Sequence, residues 1–337
     1  MSCCRELVDK IVDSVLYSGN QLIVDFNFST RKQNQMLMLI KPEVFLPVCK
    51  NKLTGSVTAI MNVLKSYEVD IDGVYSFTSE ELQKGKLMEQ HYRLIDIMSR
   101  QSSRILDEHD RANIYDALDI KEAIPILGGH EYLQLDKSVD ASVLNKKWMA
   151  GVISKIRNGL YVQKFEEQGN NTILVNGFYP AQLERFTKNN RHTVALLINS
   201  DLPWKILRRY MLGSTFPEKA EDGSIRNILY VNGPEYGLDN VNVANNCVHL
   251  SAGPFEAMFE ISNILQYIEG KKFTTSSLNL VRTLESLDVD HRNYDISFNN
   301  PKLIIGGHEM ELFDVTEEVD TYTAALLYRK CINSGIN

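Results

Sequence analysis

No run in the 337-residue chain approaches the ~18 consecutive apolar residues that span a bilayer, so a membrane-spanning helix is not expected. Cysteine is sparse and odd in number, with Cys3, Cys4, Cys49, Cys247 and Cys331 scattered and no CxxC pair among them. That argues against a disulfide framework and a cysteine-built metal site, and free thiols point to a reducing cytoplasm. The opening MSCCRELVDKIVDSVL is charged throughout and lacks the apolar core of a signal peptide. An excess of positive charge is absent too, since 36 basic against 43 acidic side chains leave a net charge of −7. An acidic chain repels polyphosphate backbones unless its cations are gathered locally, so nucleic acid is not an expected partner. What remains, 44% apolar and 23% charged residues, is ordinary globular composition, and the length fits about two domains. The expectation is a soluble, cytoplasmic protein with no membrane partner.

Strand and helix patterns alternate along much of the chain. Val8, Ile11, Val12, Val15 and Leu16 recur at helical spacing and predict a helix within 1–19. QLIVDF reads as a strand, and the continuous apolar run MLMLIKP as a strand buried on both faces, with Lys41 at its carboxyl end. Val57, Ile60, Met61 and Leu64 mark a helix, and YEVDIDGVYSF alternates with period two. Thr78 and Glu81 form a capping box before a helix carrying Leu82, Met88, His91 and Tyr92. After a less legible stretch come a short helix opened by Pro180, the strand TVALLIN, the helix WKILRRYML ended by Gly213, the strand CVHL and a helix opened by Pro254. This order predicts an α/β (α+β) sandwich with helices on one face of a short sheet. ILGGHEYLQLD and IIGGHEMELFD echo one another and are read as two Gly-Gly hairpins, each closing aspartate (Asp136, Asp314) capping a following helix. A metal site from His130, Glu131, His308 and Glu309 is the weaker alternative.

The sharpest chemical signal is NNCVHLSAGPFEAMFEI. A histidine at a strand end, just before a turn and a helix N-terminus, can face a phosphate held by backbone N–H groups. A neutral imidazole is also a nucleophile near pH 7. Alone, such a histidine is more often a hydrogen-bonded structural residue. Lys41, Arg209, Thr215 and Arg226, read alongside it, supply three cations and a hydroxyl suited to a triphosphate.

Read together, LIKPEVF, EQHYRL, RRYMLGSTFPEKAEDGSIR, NNCVHLSA and Glu260 resemble the active-site segments of nucleoside diphosphate kinases, in the same order and with an eleven-residue step from His249 to Glu260. The resemblance covers 36–99 and 177–270. It implies a ferredoxin-like βαββαβ core over 20–99 plus 177–270, interrupted by an insertion (100–176) and followed by an extension (271–337); because the Gly-Gly-His-Glu echo falls once in each of these, the expectation is that they form one added lobe with their hairpins pairing. It implies transfer of the γ-phosphate between nucleoside triphosphates and diphosphates by a ping-pong route through phospho-His249, on Nδ1. Glu260 would hold the other ring nitrogen, Tyr92 would lie against the transferring group and Ser251 near the histidine. Lys41, Arg209, Thr215 and Arg226 would bind phosphates, Asn246 and Lys41 the ribose hydroxyls, and Phe178 and Val243 the two faces of the base. Magnesium (Mg2+) would be held mainly by the nucleotide phosphates. Lys41, Arg209 and Arg226 should lower the pKa of His249 and Glu260 should raise it. Members of the family are usually homo-oligomers, and a homo-oligomer, with a dimer suggested, is expected.

Two positions depart from the family pattern. Leu250 stands where the family has glycine, and leucine does not take a positive φ cheaply; Ala252 stands where it has aspartate. The linker from Arg226 to Asn246 is also about ten residues longer than the resemblance suggests, and needs its own path. The rival reading is a non-catalytic nucleotide-binding regulatory module that keeps the pocket. Histidine-phosphatase chemistry lacks its Arg-His-Gly signature.

Overall fold

The apolar runs do form the strands. A computed structural model describes residues 2–17, 21–29, 32–46, 49–167, 170–188 and 190–333. Among them the strands are β1 (Leu22–Val24), β2 (Asn34–Ile40), β3 (Asp70–Thr78), β4 (Ile126–Gly128), β5 (Ser154–Arg157), β6 (Leu160–Glu167), β7 (Asn170–Val175), β8 (His192–Ser200), β9 (Val248–Leu250), β10 (Lys302–Ile305) and β11 (His308–Glu311). The chain divides into two units, Met1–Glu81 with Asn190–Asn337, and Leu82–Asn189. The second unit is thus the continuous stretch between β3 and β8, and both the helix Ser2–Tyr17 and the segment after residue 270 fall in the first unit.

In the first unit an antiparallel sheet runs β1-β3-β8-β2-β9. Every residue of β2 and of β8 is buried. Successive strand residues point to opposite faces, so both faces of these two strands are covered. The helix Pro254–Glu269 and the helix Asn279–Ser286 pack on β2, and the helix Ser2–Tyr17 on the helix Lys50–Ser66. The extension is tied down by polar contacts. Asn279 donates its backbone N–H to Gln35 Oε1 (3.1 Å) and its side chain to the Lys32 carbonyl (2.7 Å). Asp320 Oδ1 accepts from Asn34 Nδ2 (3.0 Å) and from the Trp204 N–H (2.7 Å).

β3 and β8 are neighbours although the whole second unit lies between them in sequence. Thr78 faces His192 in register, and the Ser79 N–H donates to the Arg191 carbonyl at 2.8 Å. The Thr78–Glu81 capping box forms as expected, with Glu81 Oε2 accepting from the Thr78 N–H (3.0 Å) and Thr78 Oγ1 from the Glu81 N–H (3.3 Å). The helix it starts is interrupted at Lys86, whose φ is +50°.

The second unit holds the sheet β4-β7-β6-β5, in which β4 is parallel to β7. Met98, Ile114, Ile126, Leu160, Val162, Ile173 and Val175 form one core cluster there. The two Gly-Gly-His-Glu segments fold differently. Gly306 and Gly307 turn the β10–β11 hairpin with φ of +60° and +85°. Gly128 instead ends β4 in an extended conformation and starts the helix Gly129–Leu135, pressed so close to the Ser99 carbonyl that a Cβ would lie 2.1 Å from it. The expectation that the two hairpins pair is therefore corrected: β10 bonds to β11, and β4 to β7. The aspartates also differ from expectation. Asp136 closes its helix and accepts from the Ser138 N–H, and Asp314 lies within the helix Leu312–Thr316.

Candidate active site

β2 ends at Ile40, and Lys41 follows in extended conformation before Pro42 opens a short 3-10 turn, Pro42–Phe45. β9 pairs antiparallel with β2, Leu39 opposite His249 and Ile40 opposite Val248, and the Lys41 N–H donates to the Cys247 carbonyl at 2.8 Å. Register thus brings the lysine of LIKPEVF beside NNCVHLSA. Lys41 Nζ donates to Asn246 Oδ1 at 2.6 Å, and the Cys247 N–H to Glu43 Oε1 at 3.0 Å. Cys247 has a φ of +66°, and burial pushes its thiol pKa up.

His249 Nε2 donates to Glu260 Oε1 at 2.9 Å. Glu260 projects from the helix Pro254–Glu269 and is 2% exposed. Its other oxygen accepts from Ser251 Oγ at 2.6 Å, and Ser251 Oγ in turn accepts from the Leu37 N–H at 3.0 Å. Sheet backbone, serine, glutamate and imidazole make one hydrogen-bonded chain, and it sets which ring nitrogen carries the proton. The imidazole itself is 18% exposed. Burial first, then the charges of Lys41, Arg208 and Arg226, hold its pKa well below the ordinary value, so the ring is neutral.

Arg226 lies in the helix Ile225–Val231, whose N-cap Ser224 accepts from the Asn227 N–H. It is buried and donates to the carbonyls of Gly213 and Val248, both at 2.9 Å, fastening the glycine turn to the residue before His249. Gly213 ends the preceding helical segment as expected. Its φ is +92°, and a Cβ there would lie 2.4 Å from Ser224 Oγ. The segment differs in one respect: Leu207–Leu212 is π-helical, and the Gly213 N–H reaches the Arg208 carbonyl at 3.1 Å.

Arg209 is 65% exposed and donates through Nε to Glu221 Oε1 at 2.9 Å. Of the arginine pair it is Arg208, not Arg209, that acts on His249 beside Lys41 and Arg226, which corrects that part of the electrostatic expectation; Arg208 lies in the π-turn and donates to the Leu250 carbonyl of β9. Thr215 is exposed, and Val243 is half-buried. Asn246 Nδ2 lies 3.5 Å from the Thr215 carbonyl and 3.4 Å from that of Val243. The long loop before Asn246 continues the helix to Val231 and adds the turn Gly233–Tyr236, with Tyr236 packed on Gly55 of the helix Lys50–Ser66.

The first unit thus joins His249, Glu260 and Ser251 directly, couples Lys41 to Asn246, and ties Arg226 to Val248. Leu250 lies in regular strand opposite Met38, so it meets no positive φ. The Ala252 N–H donates to Glu256, a carboxylate whose pKa is raised by burial and then by Glu260. Tyr92 and Phe178 belong to the second unit. There Tyr92 packs edge-on to His91, its ring centroid 4.6 Å away, and Phe178 lies 6.0 Å from the rings of both Trp148 and Tyr161.

Local roles explain the echoed His-Glu pairs. His130 Nδ1 is hydrogen-bonded to Ser99 Oγ (2.9 Å), and Glu131 accepts from the Gly128 N–H (2.8 Å) and the Ser103 N–H (3.1 Å). Glu309 pairs with Lys302 at 3.2 Å, and His308 is exposed. For magnesium, the carboxylates beside His249 are committed: Glu260 to the ring and Ser251, Glu43 to Cys247. That donor set fits an ion carried by phosphates rather than one caged by protein oxygens. No family model matches the chain, and no curated protein matches it in sequence.

Proposed function

We propose that the chain is a phosphotransferase of the nucleoside diphosphate kinase type, carrying a γ-phosphoryl group on His249. The observation that supports this most is the Ser251–Glu260–His249 chain. With Nε2–H donated to Glu260, the imidazole lone pair sits on Nδ1. In the first half-reaction Nδ1 attacks the γ-phosphorus of a nucleoside triphosphate. The N–P bond forms, the bond from phosphorus to the bridging oxygen breaks, and its electron pair leaves with the diphosphate. Positive charge grows on the ring, and Glu260 balances it through Nε2–H. The second half-reaction is the reverse, with another nucleoside diphosphate as acceptor. Lys41, Arg209 and Arg226 would hold phosphate oxygens, and Asn246 with Lys41 the ribose. Magnesium would enter with the nucleotide and neutralise part of its phosphate charge. The strand order β9-β2-β8-β3, antiparallel with the helix Lys50–Ser66 between β2 and β3, supports a ferredoxin-like βαββαβ core.

The second reading is a nucleotide-binding regulatory module without turnover. Arg226 favours it, because the guanidinium donates to two backbone carbonyls and so has a structural use. One experiment separates the two. Incubated with radiolabelled ATP and magnesium, the protein is expected to gain an acid-labile, base-stable phosphate that GDP removes and that H249Q never acquires. Nucleotide binding without that phosphate would leave the regulatory reading standing.

A further inference from the structure

The C-terminal extension reaches the residues that flank His249. Arg208 Nη1 donates to the Leu250 carbonyl, directly after His249, at 2.9 Å. The rest of its guanidinium meets two carboxylates of the extension: Nη2 is 3.3 Å from Glu317 Oε1 and Nε is 3.7 Å from Glu318 Oε1. The same segment is fastened by its backbone. The Glu318 N–H donates to the Ala252 carbonyl at 2.8 Å, with Glu318 itself in a left-handed conformation (φ +57°) that non-glycine residues seldom adopt. Gly253 comes so near the Thr316 carbonyl that a Cβ would lie 2.4 Å from it. Trp204 bridges both sides, giving its backbone N–H to Asp320 Oδ1 (2.7 Å) and its indole N–H to the Ser251 carbonyl (3.2 Å).

We propose that Arg208 is a positioning residue for His249, and that Glu317 and Glu318 of the extension hold it in place, making the extension a working part of the transfer site. This rests on the reading of His249 as the phosphoryl carrier. An arginine side chain on a helical turn has many rotamers; two carboxylates on one side and a carbonyl on the other select one. Pinned there, the guanidinium fixes the Leu250 carbonyl, and with it the β9 backbone that carries the imidazole, in line with Glu260. It also keeps a positive charge beside the ring, where the phosphate must arrive, without reorganisation at the moment of transfer.

The test compares full-length wild type with R208A, R208K, E317Q/E318Q and the combined triple variant. The readings are kcat and KM for transfer from ATP to GDP, and the imidazole NMR signals of His249 in histidine-labelled protein. R208A is expected to lower kcat about ten- to a hundredfold, as misplacing a reacting group does, with KM within about twofold. R208K should recover part of the loss. E317Q/E318Q should lower kcat severalfold alone and add nothing to R208A, because it acts through Arg208. The His249 signals should shift in R208A and in E317Q/E318Q. An unchanged kcat in R208A, a KM effect alone, or fully additive losses would overturn the proposal. If wild type never forms phosphohistidine, the kinase reading fails and the NMR decides alone: shifted signals in both variants uphold the positioning role, and unmoved signals end it.

Discussion

Glu260 is the residue on which the imidazole's orientation turns. It is buried, and its two oxygens join the ring to Ser251 and so to the β2 backbone. E260A should lower phosphoryl transfer about a hundredfold while nucleotide affinity stays within a few fold, checked by single-turnover transfer and equilibrium binding. An unchanged transfer rate would remove Glu260 from the mechanism. Histidine burial also sets an acid limit on stability. His130 is pushed down to about 4 by burial and then by Arg100, and burial lowers His192 and His249 as well. Unfolded, each titrates near 6.5, so between that value and the folded pKa the unfolded chain binds more protons. For His130 the stability from this source is present above pH 6.5 and drains away as pH falls toward 4, at about 1.4 kcal/mol per unit, and the other two histidines act in the same direction. Urea midpoints across that range should fall with acid, and H130Q should flatten the slope; a flat wild-type profile would contradict this.

At the scale of elements, the strands were the most legible part of the sequence. β2 and β8 carry apolar runs because they are buried on both faces, whereas β3 alternates in sequence although Asp72 and Ser76 are buried along with its apolar residues. Gly213 marked its helix end because only glycine combines a φ of +92° with room beside Ser224. G213A should destabilise the fold by about 1–3 kcal/mol in urea denaturation and, by shifting the turn that Arg226 grips, slow transfer as well. A variant as stable as wild type would show that the turn has another geometry. The π-turn of Leu207–Leu212 was illegible, since a 3.6-residue pattern does not announce one wide turn, and it decides which arginine acts on His249. The repeated Gly-Gly-His-Glu makes the same point. In open space it turns a hairpin, and against the Ser99 carbonyl it starts a helix.

Over the whole molecule, the first unit is discontinuous: its neighbouring strands β3 and β8 are separated in sequence by residues 82–189. Adjacent ends make such an insertion tolerable, because the host sheet keeps its register. The segment after the helix Pro254–Glu269 is not part of the second unit, and it is held by polar side-chain contacts as well as by buried Leu280, Val281, Leu284 and Tyr328. D320A should cost about 2–4 kcal/mol of stability, because it strips partners from the buried Asn34 amide and from the Trp204 N–H. A urea midpoint within error of wild type would show that the extension is held some other way. Among the described residues no helix is long and apolar enough to cross a membrane. By itself the sequence determined the buried strands, the capping box and the glycine turn, because burial, capping and backbone sterics act over short stretches, whereas the grouping of His249, Glu260 and Ser251 was expected from the family resemblance. Only the tertiary structure decided that Arg208 faces β9 and that Glu317, Glu318 and Asp320 meet the turn after His249. Those contacts join polar groups far apart in the chain, and a polar residue looks the same in sequence whether its partner is water or a distant carboxylate.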